Sequence, residues 1–146
     1  MVKLLTCALL KFSAILIYGN TLEKLEVYNL AEDFSDKIWN IVITWKIFEK
    51  DTIGKQMVRA ADSISANIAE GYGRYFYKES KQFYFYSRGS IQETKAWLSK
   101  CKRRGIISVE ESNNLIAGAE KILAMLNAFI KFVAKSQKVK TKSITP

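Results

Sequence analysis

The stretch RAADSISANIAEGYGR, residues 59–74, decides the fold class of this chain. Alanines, serines and isoleucines recur in it at helical spacing, which indicates a helix that packs closely against its neighbours. Polar residues recur through the stretch and just before it: Gln56, Arg59, Ser63, Asn67 and Glu70. On a helical wheel this polar stripe lies roughly 110° from the apolar face, so we expect it to border the core.

Similar amphipathic patterns cover most of the remaining chain and predict four long helices. They span about residues 22–48, 52–70, 77–103 and 108–135. The single proline, which would break a helix, is the last residue of the chain. Because the connections are short, neighbouring helices must run antiparallel. The predicted fold is an all-α, antiparallel up-down-up-down four-helix bundle.

Capping residues and glycines lie at the predicted helix ends. Small polar side chains accept hydrogen bonds from the first N–H groups of a helix, and glycine adopts the left-handed conformation that ends one. The residues expected in these roles are Asp51 or Thr52, Gly71 or Gly73, Gly105, and a capping box of Ser108 and Glu111.

The chain divides into an apolar extension at residues 1–20, the bundle domain at residues 21–135 and a lysine-rich flexible tail at residues 136–146. The extension begins like a signal peptide, but Lys11 interrupts its apolar run and no clear small-residue cleavage site follows. The run is also too short to span a membrane. Two alternatives remain: an extension outside the domain, or an amphipathic helix that docks on the bundle, a partner or a bilayer surface.

The composition argues against an enzyme. The chain has no histidine, which removes His-based acid–base catalysis, His-activated nucleophiles and His-containing metal sites. No P-loop is present, and GYGR lacks the third glycine of a dinucleotide loop. We therefore expect no catalytic residue, no metal and no cofactor. Cys7 and Cys101 lie far apart in the sequence, so we expect free thiols and a cytoplasmic location.

The polar stripe has a counterpart on the third helix. In an antiparallel hairpin centred near residue 75, Arg59 falls within reach of Ser90 and Glu93. We expect Arg59 to pair with Glu93 or Glu70 inside a larger polar network that supports the fold or a subunit interface. The predicted network comprises Gln56, Arg59, Ser63, Asn67, Glu70, Ser90 and Glu93.

The formal charge of +9 is concentrated in residues 51–146, because lysines and acidic residues balance in residues 1–50. Four basic residues of the third helix are seven apart, so they share one face and span about 31 Å, enough to follow a phosphate backbone. We expect this face to point away from the core. Solubility is the alternative explanation. The predicted nucleic-acid-binding set is Arg74, Lys78, Lys81, Arg88, Lys95, Lys102, Arg103 and Arg104.

Eight aromatic residues fall within residues 72–86. Aromatic rings beside cations can stack unpaired bases while the cations hold phosphates. Alternatively, these rings seal the end of the bundle or join subunits, and we expect Phe83 and Tyr86 to point toward the core or its border. No motif that reads a nucleic-acid sequence is present.

Two blocks, GKQMVRAADSISANIAEGYGR at residues 54–74 and RGSIQET at residues 88–94, resemble the four-helix bundle proteins encoded by intervening sequences in bacterial 23S ribosomal RNA genes. The resemblance covers about residues 22–130 and implies a compact antiparallel bundle with no known enzymatic activity. Its more distant relatives are accessory proteins of diversity-generating retroelements, which resemble pentameric rings that engage nucleic acid and reverse transcriptase. The chain departs from the family pattern by its extension, by its unusually aromatic stretch and by Ser87, where alanine is common.

The sequence therefore predicts a non-enzymatic, oligomeric bundle that binds RNA or DNA non-specifically through a basic face. The resemblance implies a homo-oligomer, with a pentamer as the form that its distant relatives suggest, and a protein partner such as a reverse transcriptase; a membrane is not an expected partner. The alternative is a homo-oligomeric protein-interaction module, or an accessory subunit, with no nucleic-acid binding. Assembly into a ring would repeat each basic face and multiply weak contacts.

Overall fold

Four long helices form the part of the chain that the computed structural model describes, residues 21–142, with side chains described to residue 136. A single 3₁₀ turn, Leu22–Lys24, precedes them, and no strand occurs among the described residues. The all-α four-helix bundle is confirmed. The helices are α1, Glu26–Val42; α2, Lys55–Gly73; α3, Tyr77–Arg103; and α4, Val109–Lys142.

Each long helix buries one apolar stripe, as its periodicity predicts. Ile38 of α1, Met57 of α2, Leu98 of α3 and Leu126 of α4 are fully buried and belong to one common core. Burying a side chain of this size stabilises a fold by about 1.5–3 kcal/mol. The core therefore holds all four helices together.

Helices α2 and α3 run antiparallel to each other. The Ser87 hydroxyl donates to the Ile64 carbonyl at 2.8 Å, near the middle of both helices. Closer to the connecting turn, Gly71 faces Tyr84. Later residues of α2 therefore meet earlier residues of α3.

Gly71 has a different role from the one expected. Among the described residues, Gly105 is the glycine with a positive φ, at 67°, so Gly71 and Gly73 do not end α2 in the left-handed conformation. Gly71 is buried instead, and a Cβ there would lie 2.6 Å from Tyr84 Cε1 and 2.9 Å from the Ser80 carbonyl oxygen. The missing side chain lets α2 and α3 approach each other.

The turn between α3 and α4 matches the prediction. Gly105 takes the left-handed conformation, and the next N–H, of Ile106, bonds the Cys101 carbonyl at 3.0 Å. The Ser108 hydroxyl then accepts the N–H of Glu111 at 3.0 Å, which is the expected cap of α4.

The predicted boundary between the first two helices is wrong. Helix α1 ends at Val42, and Phe48, the last residue of the predicted first helix, is 75% exposed. A short helical turn, Ile47–Glu49, and a π-helical segment, Lys50–Gly54, lead directly into α2. Because the helix is already under way, α2 needs no cap. The hydroxyl of Thr52 donates to the Phe48 carbonyl at 2.6 Å instead of capping.

The last helix is longer than predicted. Helix α4 continues to Lys142, so the first residues of the segment assigned as a tail, 136–146, are helical. The extension at residues 1–20 lies outside the described residues. None of the helices in residues 21–142 combines the length and the apolar character of a membrane span.

Candidate functional site

The basic residues spaced by seven on α3 do not point away from the core. Lys81, Lys95 and Lys102 are half-buried, and only Arg88 of the four is exposed. A repeat of seven drifts by about 20° per step relative to the helix. Over three steps this drift brings Lys102 about 60° nearer to the core side of α3 than Lys81.

Lys95 is engaged within the chain. Its ammonium pairs with the Glu120 carboxylate of α4, and its side chain is 21% exposed. The pair links α3 to α4, so the ammonium of Lys95 is committed to this contact. Its role in binding phosphate stays a prediction, and within the chain this ammonium already has an acidic partner.

Two other members of the predicted set lie apart from this face. Arg74, after the end of α2, pairs with Glu70 and lies 4.7 Å above the centroid of the Phe83 ring. Arg104 lines a separate cleft with Trp45 and other residues at the opposite end of α3.

A continuous surface, here called the basic face, remains on α3. At 100° per residue its members fall within a sector of about 120°, on the side next to α4. Both acidic residues of α3, Glu79 and Glu93, lie outside that sector. The basic face comprises Lys78, Lys81, Arg88, Lys102 and Arg103, with Phe85 and Gln92 among them.

Phe85 lies between two cations of the basic face. Lys81 Nζ is 5.3 Å and Arg88 Cζ is 5.4 Å from the centroid of its ring, within the range of cation–π attraction. The ring is 38% exposed. Sequence analysis counted Phe85 only as one of eight aromatics, although its spacing from the two cations, four before and three after, could have singled it out.

A shallow cleft of about 320 Å³ adjoins this ring. It is lined by Phe85, Arg88, Gly89 and Gln92. These residues are spaced by three or four along one helix, so they form a single strip of surface. The cleft is open to solvent, and its lining includes an aromatic ring, a guanidinium group and a side-chain amide.

The predicted polar network does not form between α2 and α3. Arg59 is exposed and makes no ion pair among the described residues. Glu70 pairs with Arg74 instead, four residues later on the same side of the chain. Glu93 accepts the indole N–H of Trp97 at 3.3 Å. Residues four apart on a helix are neighbours, so Glu70 and Glu93 each pair with a residue of their own segment and not with Arg59.

The smaller polar residues of the network also bond locally. The Ser63 hydroxyl donates to the Arg59 carbonyl at 2.7 Å, and the Asn67 amide to the Ser63 carbonyl at 2.7 Å. Ser90 donates to the Tyr86 carbonyl at 3.1 Å. Gln56 lines a cleft beside α1. Ser63, Asn67 and Ser90 therefore bond to backbone carbonyls one turn earlier on their own helix, not to the facing helix.

The aromatic stretch is divided between core and surface. Tyr84 is the buried member, and its ring packs edge-on against Phe129 at 5.2 Å. Of the two rings expected at the core or its border, Phe83 is half-buried and Tyr86 is exposed. Tyr75, 92% exposed, and Phe76 contact each other edge-on at the turn between α2 and α3.

A second exposed apolar surface lies at the other end of the bundle. Together, Trp39, Ile43, Ile47 and Phe48 leave large apolar side chains in solvent. A cleft of about 380 Å³, lined in part by Trp39, Ile43 and Val58, runs beside them. Clustered apolar exposure of this kind is typical of interaction surfaces.

Cys101, which lies within the described residues, is not placed to act as a nucleophile. Cys101 is buried in the core and is not in a disulfide. Burial raises the pKa of its thiol to about 11, although the nearby Arg104 acts in the opposite direction. The reactive thiolate is therefore scarce at neutral pH. Within the described residues, no three side chains of the cysteine or acidic type cluster as metal ligands.

Comparison with known proteins agrees with the resemblance seen in the sequence. Residues 23–128 match the family described as 23S rRNA-intervening sequence protein. The fold is similar to the crystal structure of a protein of unknown function from the S23 ribosomal protein family of Bacteroides thetaiotaomicron. The two chains are 23% identical, with a TM-score of 0.65, over 72% of this chain and 98% of that one. A search of curated proteins found no significant match.

Proposed function

The chain belongs to the family of 23S rRNA-intervening sequence proteins, and we propose that it is a non-enzymatic, oligomeric bundle that binds RNA or DNA without sequence specificity. The observation that supports this most is the basic face of α3, where exposed cations occur without an acidic residue of α3 among them; Glu120 of α4 reaches this side of α3 and pairs with Lys95. Nucleic-acid phosphates are the ligands that such a surface attracts most strongly.

The length of the basic face suits a nucleic-acid backbone. Lys78 and Arg103 are 25 residues apart on one helix, or about 37 Å at 1.5 Å per residue. A duplex presents one phosphate per about 3.4 Å on each strand. Contacts to phosphate position a ligand but do not read its sequence, so we propose binding that tolerates any sequence.

Oligomerisation is the second part of the proposal. The exposed aromatics Tyr75 and Phe76, and the apolar surface around Trp39 and Phe48, are suitable for contacts between copies. A ring, pentameric as the family resemblance implies, would present several basic faces to one ligand. We place this activity in the cytoplasm, where a buried free thiol such as Cys101 stays reduced.

A second candidate function rests on the same exposed apolar side chains. They also fit a protein-interaction module, or an accessory subunit that binds a partner such as a reverse transcriptase, with the positive charge serving solubility alone. The two functions differ in one respect. Only the first requires the basic face.

A matched pair of charge-reversal variants tests the proposal. The first variant is Lys78→Glu, Arg88→Glu and Arg103→Glu, which changes three exposed residues of the basic face. The control, Lys24→Glu, Lys46→Glu and Lys121→Glu, changes exposed residues outside α3 by the same net charge. Binding to duplex DNA and to single-stranded RNA is measured over a salt series, with the mass of the protein determined on the same sample.

We expect the first variant to lose most of its binding and the control to keep it. Each lost phosphate contact lowers the slope of log K against log salt by about 0.9 for duplex DNA, so the first variant's slope should fall by about two to three. Equal losses in both variants would show that net charge alone drives binding. No binding by the unmodified oligomer at low salt would favour the protein-interaction module.

A further inference from the structure

Phe85 differs from the other aromatic side chains of its segment. Tyr84 packs against Phe129 in the core, and Phe83 contacts the edge of Tyr86. The Phe85 ring lies beside two cations, Lys81 and Arg88, and stacks on no other aromatic ring among the described residues. Packing inside the chain therefore gives little reason for an exposed phenylalanine at this position.

Gly89, one turn after Phe85, is also unexplained by packing. A Cβ at this position would meet nothing within 4 Å, although the residue lies in the interior of α3. Glycine is a poor helix former compared with alanine. At Gly71 a neighbouring ring explains the glycine, but at Gly89 no such neighbour exists. Bare backbone here leaves room for another molecule to approach α3 closely.

Gln92 completes the strip. Its amide offers both donors and an acceptor, and it lines the same cleft as Phe85, Arg88 and Gly89. The cleft therefore combines a ring for stacking, a planar cation, an open floor and a polar group suited to the edge of a base. These are the elements with which proteins bind single-stranded nucleic acid.

We propose that this cleft binds one unpaired base of single-stranded RNA or DNA, stacked on Phe85 above Gly89, with Lys81 and Arg88 on the flanking phosphates. The inference rests on the proposed function and adds a ligand class to it. Bases in a duplex are already stacked on both faces, so only an unpaired base can use the ring. The protein should therefore prefer single strands to duplexes.

The main test compares Phe85→Ala with Tyr86→Ala. Both variants remove an exposed aromatic side chain of α3, but Tyr86 lies about 100° from Phe85 around the helix, outside the basic face. The probes are oligouridine, oligothymidine and a duplex DNA, each about 20 nucleotides long so that it exceeds the usual site size of a single-strand-binding fold. The two homopolymers show whether the subsite distinguishes RNA from DNA.

We expect Phe85→Ala to weaken single-strand binding by about 5-fold to 150-fold, the range measured for a lost base–aromatic stack. Duplex binding by Phe85→Ala, and single-strand binding by Tyr86→Ala, should change by less than twofold. Phe85→Trp should retain affinity, and single strands should quench its added fluorescence. Unchanged single-strand binding by Phe85→Ala, or an equal loss for the duplex, would overturn the subsite.

Gly89→Ala gives a second, independent readout. Because alanine is the better helix former, this variant should unfold at a higher temperature while its affinity for single strands falls at least threefold. A variant that fails to fold cannot produce that combination. Full retention of single-strand binding, or a loss that accompanies a change in oligomer mass, would contradict the role of Gly89 in the cleft.

The outcomes separate this inference from the proposed function. If the unmodified protein binds neither single strands nor duplex at low salt, both fail. If it binds both equally and Phe85→Ala has no effect, the proposal that the basic face binds phosphates is retained and the stacking subsite is rejected.

Discussion

The same substitution, glycine to alanine, should have opposite effects at two positions of this bundle. Gly71 and Gly89 both lie within long helices, and sequence alone does not distinguish their roles. At Gly71 a Cβ would lie 2.6 Å from Tyr84 Cε1 and 2.9 Å from the Ser80 carbonyl oxygen, whereas at Gly89 it would meet nothing within 4 Å. One site is therefore crowded and the other is open.

The magnitudes follow from two opposing terms. Alanine in place of glycine stabilises a helix interior by about 0.5–1 kcal/mol. Adding a methyl group to a packed site costs about 1–3 kcal/mol, and more when backbone must move. Tyr84 is buried against Phe129, so its ring has little room to withdraw. Gly71→Ala should lower the free energy of unfolding by about 1–2 kcal/mol, and Gly89→Ala should raise it by about 0.5–1 kcal/mol.

Urea unfolding followed by circular dichroism measures both effects. The protein concentration must be the same throughout, because the stability of an oligomer depends on it. For a chain of this length, 1 kcal/mol corresponds to about 2–4 °C in Tm, so thermal melts should separate the variants in the same order. A Gly71→Ala variant as stable as Gly89→Ala would refute the close approach of α2 and α3 at Gly71.

Three further predictions concern the core and the α3–α4 groove. Ser87→Ala should lower the free energy of unfolding by about 0.5–1.5 kcal/mol in a urea titration, because it removes the bond to the Ile64 carbonyl; an unchanged midpoint would contradict this. Lys95→Glu should cost about 0.5–1 kcal/mol by placing two carboxylates together, and adding Glu120→Lys should recover most of it; a double variant no better than the single one would argue against the pair. Stability should fall as pH rises from about 9 toward 11, since the pKa of the Cys101 thiol is raised from 9.0 to about 11 in the fold and the unfolded chain releases its proton first; Cys101→Ala should lessen this slope in urea titrations across that range, and an equal slope would exclude the thiol as its cause.

The helices could be predicted because burial on one side leaves a period in the sequence. That period does not show whether an apolar residue is buried by the rest of the chain or faces solvent. Trp45 and Phe48 continue the spacing of α1, yet the helix ends at Val42 and Phe48 faces solvent. An exposed apolar residue and a core residue contribute equally to the pattern, so the end of α1 required three-dimensional information.

The candidate site was predicted only in part, for two physical reasons. Ion pairs form between side chains that are close in space: Arg74 is four residues from Glu70 and pairs with it, whereas Arg59 is eleven residues away on the same helix, about 16 Å along its axis. A spacing of seven also drifts around a helix, which carries Lys95 from solvent into contact with Glu120. The positive charges in the sequence were enough to predict that α3 carries the basic surface. Which of those cations pair with an acidic residue could not be predicted, because that depends on the position of the neighbouring helix α4.

The π-helical segment Lys50–Gly54 has a consequence for how this family can change in length. A π turn holds one residue more than an α turn of the same span. Loss of one residue from this segment would return it to α geometry while the register of α2 against the core stayed the same. Because the α turn spans the same length, the preceding turn, Ile47–Glu49, would also keep its place, and Phe48 would stay exposed. Within a continuous helix, this is the point where relatives can gain or lose a single amino acid without changing the surface that either side of it presents.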